Sequence, residues 1–332
     1  MTVLITGGAG YIGSHALKEL RREGFPCVVL DNLVRGHREL VVDADVVVGD
    51  IADTALVRRT IADYHVSAVM HFAAYAYVGE SAAEPLTYYA NNVAGTISLL
   101  KAMVDSDVRM LVFSSTCATY GVPEAIPITE DHPQRPINPY GASKLMVERM
   151  LQDAGRAHGL RSVALRYFNA AGAHPSGTIG EWHEPETHLI PLALQVAAGH
   201  REAVDVYGTD YPTADGTCVR DYIHVVDLAQ AHVLGLRHLE AGGCSDVFNL
   251  GNGNGFSVRQ VLETVERVTR RTVTSKTAPR RPGDPPALVG SADKAKRVLG
   301  WSPKFDTLEA IVETAWNWHR ARPIATPKEF LR

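Results

Sequence analysis

The chain reads as an α/β protein, a doubly wound parallel sheet followed by a smaller C-terminal α/β domain. Three observations predict this. Short β-branched runs alternate with amphipathic stretches through the first half, a glycine-rich turn closes the first run, and an acid closes the second.

Val3–Thr6, Cys27–Leu30, Asp45–Val48, Ala68–Phe72 and Met110–Ser114 read as strands. Val46-Val47-Val48 has the unbroken apolar character of a strand buried on both faces. Between them, Ile12–Glu23, Thr54–Tyr64 and Pro85–Val104 repeat apolar residues every three or four positions and read as helices. After Asn169 the pattern changes. Ala170 to Thr187 is rich in Gly, Pro and His, and Asp205–Asp221 and Thr277–Pro286 also read as loops. Loops that long inside a compact protein usually carry function. The division expected is 1–169 and 170–332, with some segments of the second part crossing back to the first.

The 332 residues, 45% hydrophobic and 21% charged, suffice for a substantial core. A net charge of −4 without a long Lys/Arg run offers no footprint for nucleic acid or an anionic membrane, which leaves a small molecule as the expected partner. No apolar run reaches the ~18 residues of a membrane span. Met1 to Gly7 enters a strand and a turn without a basic region ahead of it, unlike a signal peptide. Cys27, Cys117, Cys218 and Cys244 are too scattered for a disulfide framework or a CxxC site. A reduced, cytoplasmic protein without a metal is expected.

Gly7-Gly8-Ala9-Gly10-Tyr11-Ile12-Gly13 sits between the first strand and the first helix. Glycines at 7, 10 and 13 permit a tight turn and let backbone approach a pyrophosphate at the positive end of the helix, as in a Rossmann dinucleotide site. Asp31, closing the second strand, suits the adenosine ribose hydroxyls. It would repel a 2′-phosphate, so NAD is expected over NADP, with Arg35 the one dissenting residue. Asp50 and Ile51, after the third strand, are placed to border the adenine.

Tyr140 and Lys144 lie four apart on a helix and share a face. A free tyrosine titrates near ~10, so its use as a base near neutral pH needs about 4 kcal/mol of differential stabilisation. The Lys144 ammonium and an oxidised nicotinamide are the expected sources. Thr116 offers a hydroxyl at a strand C-terminus, where doubly wound sheets place chemistry. Asn91 is expected to orient the lysine.

The chain resembles the extended short-chain dehydrogenase/reductases, and among them the UDP-glucose/UDP-galactose 4-epimerases. The resemblance runs from Thr6–Gly13 through His71-Phe72-Ala73-Ala74, Val78-Gly79-Glu80-Ser81, Arg166-Tyr167-Phe168-Asn169, Asp210-Tyr211-Pro212-Thr213 and Val219–Val225 to Arg280–Asp284. It implies 4-epimerisation of a UDP-hexose through a transient 4-keto sugar, with Tyr140 as base, Lys144 as its electrostatic partner and ribose ligand, and Thr116 on the reacting oxygen, where Ser is commoner. It further implies that Asn32, Phe72, Ala73, Ala74, Ser114 and Phe168 border NAD. Arg220 and Arg281 are implied at the diphosphate, and Asn169, Leu189, Tyr207 and Asp284 around uridine and phosphates. A homodimer through helices Pro85–Val104 and Tyr140–His158 is implied as well.

Three positions depart from the family pattern. His188 stands where many members have Asn. Leu288 replaces a Tyr common in enzymes restricted to non-acetylated sugars, so N-acetylhexosamine substrates stay open, and a pentose stays open because losing the hydroxymethyl group leaves only a small void. Ala76 replaces a Lys that some relatives have near the cofactor phosphates. The stretch from Ala173 to Pro191 holds Glu181, Glu184 and Glu186 and no Lys or Arg, which disfavours a uronate. Cys117 and Ala118 follow Thr116 where 4,6-dehydratases place acids. A non-catalytic NAD sensor would have no use for Thr116, Tyr140 and Lys144 together.

Overall fold

The computed structural model describes residues 1–281 and 284–321. Among them, a seven-stranded sheet forms from β1 (Thr2–Thr6), β2 (Cys27–Asp31), β3 (Asp45–Val48), β4 (Val66–His71), β5 (Met110–Thr116), β6 (Arg161–Tyr167) and a later strand, Asp246–Leu250. Every pairing is parallel, in the order Asp246–Leu250, β6, β5, β4, β1, β2, β3. Connections therefore run outward in both directions from the β1/β4 boundary, and the carboxyl ends there open a crevice.

Helices α1 (Tyr11–Arg22), α2 (Thr54–Asp63), α3 (Val78–Ala83), α4 (Pro85–Tyr88), α5 (Gly95–Asp105) and α6 (Pro139–His158) fill the first half. The expected helix Pro85–Val104 is continuous in space but changes pitch, since Tyr89–Ala94 is a π-helical turn between α4 and α5. The Asp53 side chain caps α2 by accepting from the Leu56 N–H at 2.9 Å. Asn138 caps α6 through the Gly141 N–H at 2.8 Å, Pro139 opens it, and Gly159 closes it at φ +69°.

The second half contributes β7 (Asn169–Ala171), α7 (Leu189–Ala197), β8 (Val204–Tyr207), β9 (Val219–Arg220), β10 (Tyr222–His224), α8 (Val225–Glu240), β11 (the sheet strand Asp246–Leu250), β12 (Phe256–Ser257), α9 (Val258–Thr269), β13 (Ser275–Ala278), β14 (Ala287–Leu288), α10 (Asp293–Leu299) and α11 (Leu308–Ala321). Its own core gathers Ile190, Leu194, Val204, Val261, Ile311 and Trp316. β11 and α8 return to the first half, β11 beside β6 and α8 against α1. The segments expected as loops carry short strands, because β8 pairs with β13, and β9 with both β12 and β14.

Behind the carboxyl end of β5 lies a buried polar network. Arg166 on β6 holds Glu148 on α6 in a two-pronged pair, Nε to Oε1 at 2.9 Å and Nη2 to Oε2 at 2.6 Å. Ser115 donates to Glu148 at 2.5 Å, Arg166 donates to the Tyr120 hydroxyl at 2.8 Å, and that hydroxyl donates to Asn249 on β11 at 2.7 Å. Glu148→Ala leaves a buried guanidinium without its counter-charge. It should cost about 3–5 kcal/mol, read as a lowered urea midpoint, and the double change Glu148→Leu/Arg166→Met should recover most of it. A loss under about 1 kcal/mol from the single change contradicts the network's structural role.

Candidate active site

The glycine turn is held against the neighbouring strand end. Gly7 has φ +73°, and a Cβ there would lie 2.5 Å from the Ala73 nitrogen. A Cβ on Gly13 would lie 2.3 Å from the Gly7 carbonyl oxygen, whereas one on Gly10 would meet that oxygen at 3.3 Å. Gly10 opens α1 without a side-chain cap, and the first helical turn, through Tyr11 and Ile12, carries no acid. An anion is the partner such an end favours.

Asp31 is buried at the end of β2 and accepts from the Ala9 N–H at 3.0 Å and the Leu33 N–H at 2.9 Å. Burial raises its pKa and these two bonds oppose the rise. Asn32 donates to Asp50 at 2.9 Å, joining the ends of β2 and β3, while Ile51 points into the core. Phe72 and Ala73 both donate backbone N–H to the Thr6 carbonyl, at 2.9 and 3.0 Å, so the chain through Ala74 crosses directly over the turn. The residues present thus fit a dinucleotide: a cradle that Cβ atoms would fill, an uncapped helix start and a carboxylate at the ribose end. Arg35 is engaged elsewhere, in an ion pair with Glu80 at 2.6 Å and over the Tyr77 ring at 5.2 Å, which removes the cation that could favour a 2′-phosphate. Tyr11 directs its hydroxyl across to the Gly172 carbonyl at 2.6 Å, leaving its backbone at the helix start.

Thr116, Tyr140 and Lys144 come together at the end of β5. The Thr116 side chain draws the pKa of the Tyr140 phenol downward, and Lys144 Nζ lies 6.0 Å from the Tyr140 ring centre. Lys144 is buried and donates to the Ser114 carbonyl at 2.9 Å, while the Ser114 hydroxyl meets that of Tyr167. Burial pushes the Tyr140 phenol up to about 12, with the Thr116 side chain pulling the other way. Burial also lowers Lys144 to about 7, against the pull of Glu148. Without a dinucleotide beside it, burial is the largest influence on the phenol. Asn91, expected beside Lys144, donates to Asn92 Oδ1 at 2.9 Å. Asn92 is the buried member of the pair and bonds Ser143 at 3.1 Å and the Tyr75 backbone.

Phe168 is buried against Gly290, and Asn169 begins β7. Leu288 stands in register with Arg220 across β14 and β9 and packs with Tyr120, Ile128 and Phe168. Arg220 pairs with Asp284, and Arg281 stacks over the Tyr207 ring at 4.1 Å. Pro282 and Gly283 of that motif lie outside the described residues. Leu189 is the first residue of α7 and His188 its cap position. Ala76 is exposed.

The loop before α7 differs from its reading as an acidic stretch. Glu181 and Glu186 face His183 and His188, with His188 Nδ1 2.8 Å from Glu181 Oε1 and 3.0 Å from Glu186 Oε1. Against burial, which acts to lower them, the carboxylates push His183 up to about 9 and His188 up to about 10. Two imidazolium groups offset two of the loop's three glutamates and leave one net negative charge. The grouping was missed although Glu-x-His-x-x-Glu-x-His is legible from 181 to 188.

The match to the NAD dependent epimerase/dehydratase family spans residues 3–251, and the chain belongs to that family. Within it, the chain is 53% identical over 323 residues to a UDP-glucose 4-epimerase of Halalkalibacterium halodurans, covering 97% of each. It superposes at a TM-score of 0.93 on UDP-glucose 4-epimerase from Brucella ovis in complex with NAD, 51% identical, covering 95% of this chain and 97% of that one. The enzyme from Bifidobacterium longum in complex with NAD+ and UDP gives 0.92 at 39% identity, covering 97% and 99%.

Gly13→Ala should weaken NAD binding at least about tenfold, about 1.4 kcal/mol, while Gly10→Ala costs less. The NAD content of the purified variants, measured by chromatography after denaturation, checks the order. Equal retention by both contradicts the steric argument.

Proposed function

We infer that the chain catalyses NAD-dependent 4-epimerisation of a UDP-hexose, interconverting UDP-glucose and UDP-galactose. The observation that carries this is the convergence of Thr116, Tyr140 and Lys144 beside the glycine cradle, in a chain about half identical to UDP-glucose 4-epimerases over nearly its whole length.

Tyr140 is the base for the sugar 4-hydroxyl, and Thr116 holds the reacting oxygen. Lys144 supplies a donor to the nicotinamide ribose and positive charge to the phenolate. A bound NAD would supply a reversible hydride acceptor for C4 and, when oxidised, positive charge beside the phenol. The protein's part is to keep the 4-keto sugar from leaving while either face turns to the same position. Arg220 and Arg281 serve that end by holding the diphosphate with bidentate guanidinium geometry. Tyr207 flanks the uracil, and Asn169, Leu189 and Asp284 complete the nucleotide pocket. Leu288, smaller than tyrosine, leaves room for an N-acetyl group, which makes a UDP-N-acetylhexosamine the second reading.

Residues 1–169 form the NAD lobe and 170–332 the UDP-sugar lobe, with β11 and α8 lent back to the first. A homodimer through α4, α5 and α6 is supported by Leu86, 79% exposed, together with exposed Ile97 and Met146 on those helices. No helix among the described residues is long and apolar enough to cross a membrane, and all four cysteines are free thiols, in keeping with a cytoplasmic enzyme.

Purified protein given UDP-galactose should form UDP-glucose without net change of NAD. Tyr140→Phe should reduce kcat at least tenfold, about 1.4 kcal/mol in barrier, with NAD content unchanged. A variant keeping more activity than that removes Tyr140 as base, and a stable 4-keto-6-deoxy product makes the chain a dehydratase. Light scattering should return twice the chain mass, and a monomer mass contradicts the proposed helix pairing.

A further inference from the structure

The loop from 181 to 188 does more than neutralise its own acids. Four donor atoms from Glu181, His183, Glu186 and His188 lie within 4.8 Å of one another. The separations are 2.8 and 3.3 Å from Glu181 Oε1 to the Nδ1 atoms of His188 and His183, and 3.0 and 3.7 Å from the Glu186 oxygens to those same nitrogens. Tetrahedral donors about 2.0–2.1 Å from a zinc ion stand about 3.3 Å apart, in the middle of this range.

A network of ion pairs accounts for the cluster less well. Glu181 is 5% exposed, yet its Oε1 has no aligned hydrogen-bond partner among the described residues, and neither does the buried Nδ1 of His183. They approach to 3.3 Å without aligning, and both imidazoles turn the same ring nitrogen to one carboxylate oxygen. Atoms that face a common centre rather than one another are arranged as ligands. The set of two imidazoles and two carboxylates suits a first-row transition ion rather than calcium or magnesium.

We propose that Glu181, His183, Glu186 and His188 bind one Zn²⁺-type divalent cation per chain, a structural site separate from the catalytic centre. Four protein ligands close the coordination shell and leave no open position for chemistry. What the ion fixes is visible in the loop's neighbours. Tyr77 donates to the Pro185 carbonyl at 3.1 Å, and Arg35 donates to the Glu184 carbonyl at 3.4 Å. Trp182 stacks on His37 at 3.6 Å, and the His37 N–H reaches the Ala9 carbonyl of the glycine turn at 2.8 Å. The ion therefore staples the second half of the chain to the dinucleotide half, immediately before Leu189. His188 becomes a ligand of the ion instead of a sugar contact.

The test uses the tag-free full-length protein and reads metal, not turnover, so it stands or falls independently of the epimerase reading. After stripping with a chelator, exposure to Zn²⁺ and gel filtration, elemental analysis should find one zinc per chain. At a hundredfold excess over Kd the thermal midpoint should rise by about 5 °C. Cobalt(II) in place of zinc should show the intense visible bands of tetrahedral coordination. His183→Gln and Glu186→Gln, made separately, should each lower zinc affinity at least tenfold, and a variant that does not fold leaves the wild-type stoichiometry to decide. Less than about 0.1 zinc per chain with no thermal shift overturns the proposal, as does undiminished binding by both variants.

Discussion

Everything at the catalytic end of β5 depends on the buried pair between Arg166 and Glu148. Removing two charges from water is costly, and a pair repays that cost only when its remaining hydrogen-bonding capacity is also met. Here the two-pronged contact, Ser115 on one side and Tyr120 with Asn249 on the other meet it. The pair ties α6 to β5 and β6 and so sets the rotation of that helix. Tyr140, Lys144 and Glu148 are spaced by four and share one face, and a slip of one residue would turn that face by about 100°. Fixing Glu148 therefore aims the other two at Thr116.

The network also explains the electrostatics of the site. Glu148 is committed to Arg166, so it offers Lys144 only a weak counter-charge, and burial lowers the lysine to about 7. Burial likewise lifts Tyr140 to about 12. A phenol in that condition surrenders its proton only when extra positive charge stands beside it. The protonation of the phenol is thus tied to the charge of whatever occupies the glycine cradle.

Most of the first half was legible in the sequence because its information is local, although β6 was not among the strands read and β3, read as buried on both faces, is an edge strand with Val48 59% exposed. A buried parallel strand needs an unbroken apolar run, and the glycine turn needs missing Cβ atoms at 7 and 13, where the clashes would be with backbone that cannot yield. β11 and the short strands β8, β9, β12, β13 and β14 were not legible, since two to five residues become a strand only through partners far away in sequence. Asn91 shows a subtler failure. The π turn at Tyr89–Ala94 adds a residue to the helical repeat, and Asn92 rather than Asn91 lies on the buried side. Tyr140, Lys144 and Thr116 escaped this fate because the helix carrying the first two is regular from its Asn138 cap onward.

The loop before α7 was read incompletely for a different reason. Charges were weighed singly, so three glutamates without Lys or Arg suggested repulsion of an acidic sugar. Histidine was left out of that sum, although an imidazole held between two carboxylates is a cation at neutral pH. Once His183 and His188 are counted against Glu181, Glu184 and Glu186, the loop keeps one net negative charge, and Glu181 and Glu186 are turned to the two histidines. A carboxylate pair buried that deeply demands a cation, whether two protons on imidazoles or one divalent ion between them. The single ion satisfies all four donors at once and leaves no misaligned atom, whereas the protonated arrangement leaves Glu181 Oε1 and His183 Nδ1 without aligned partners.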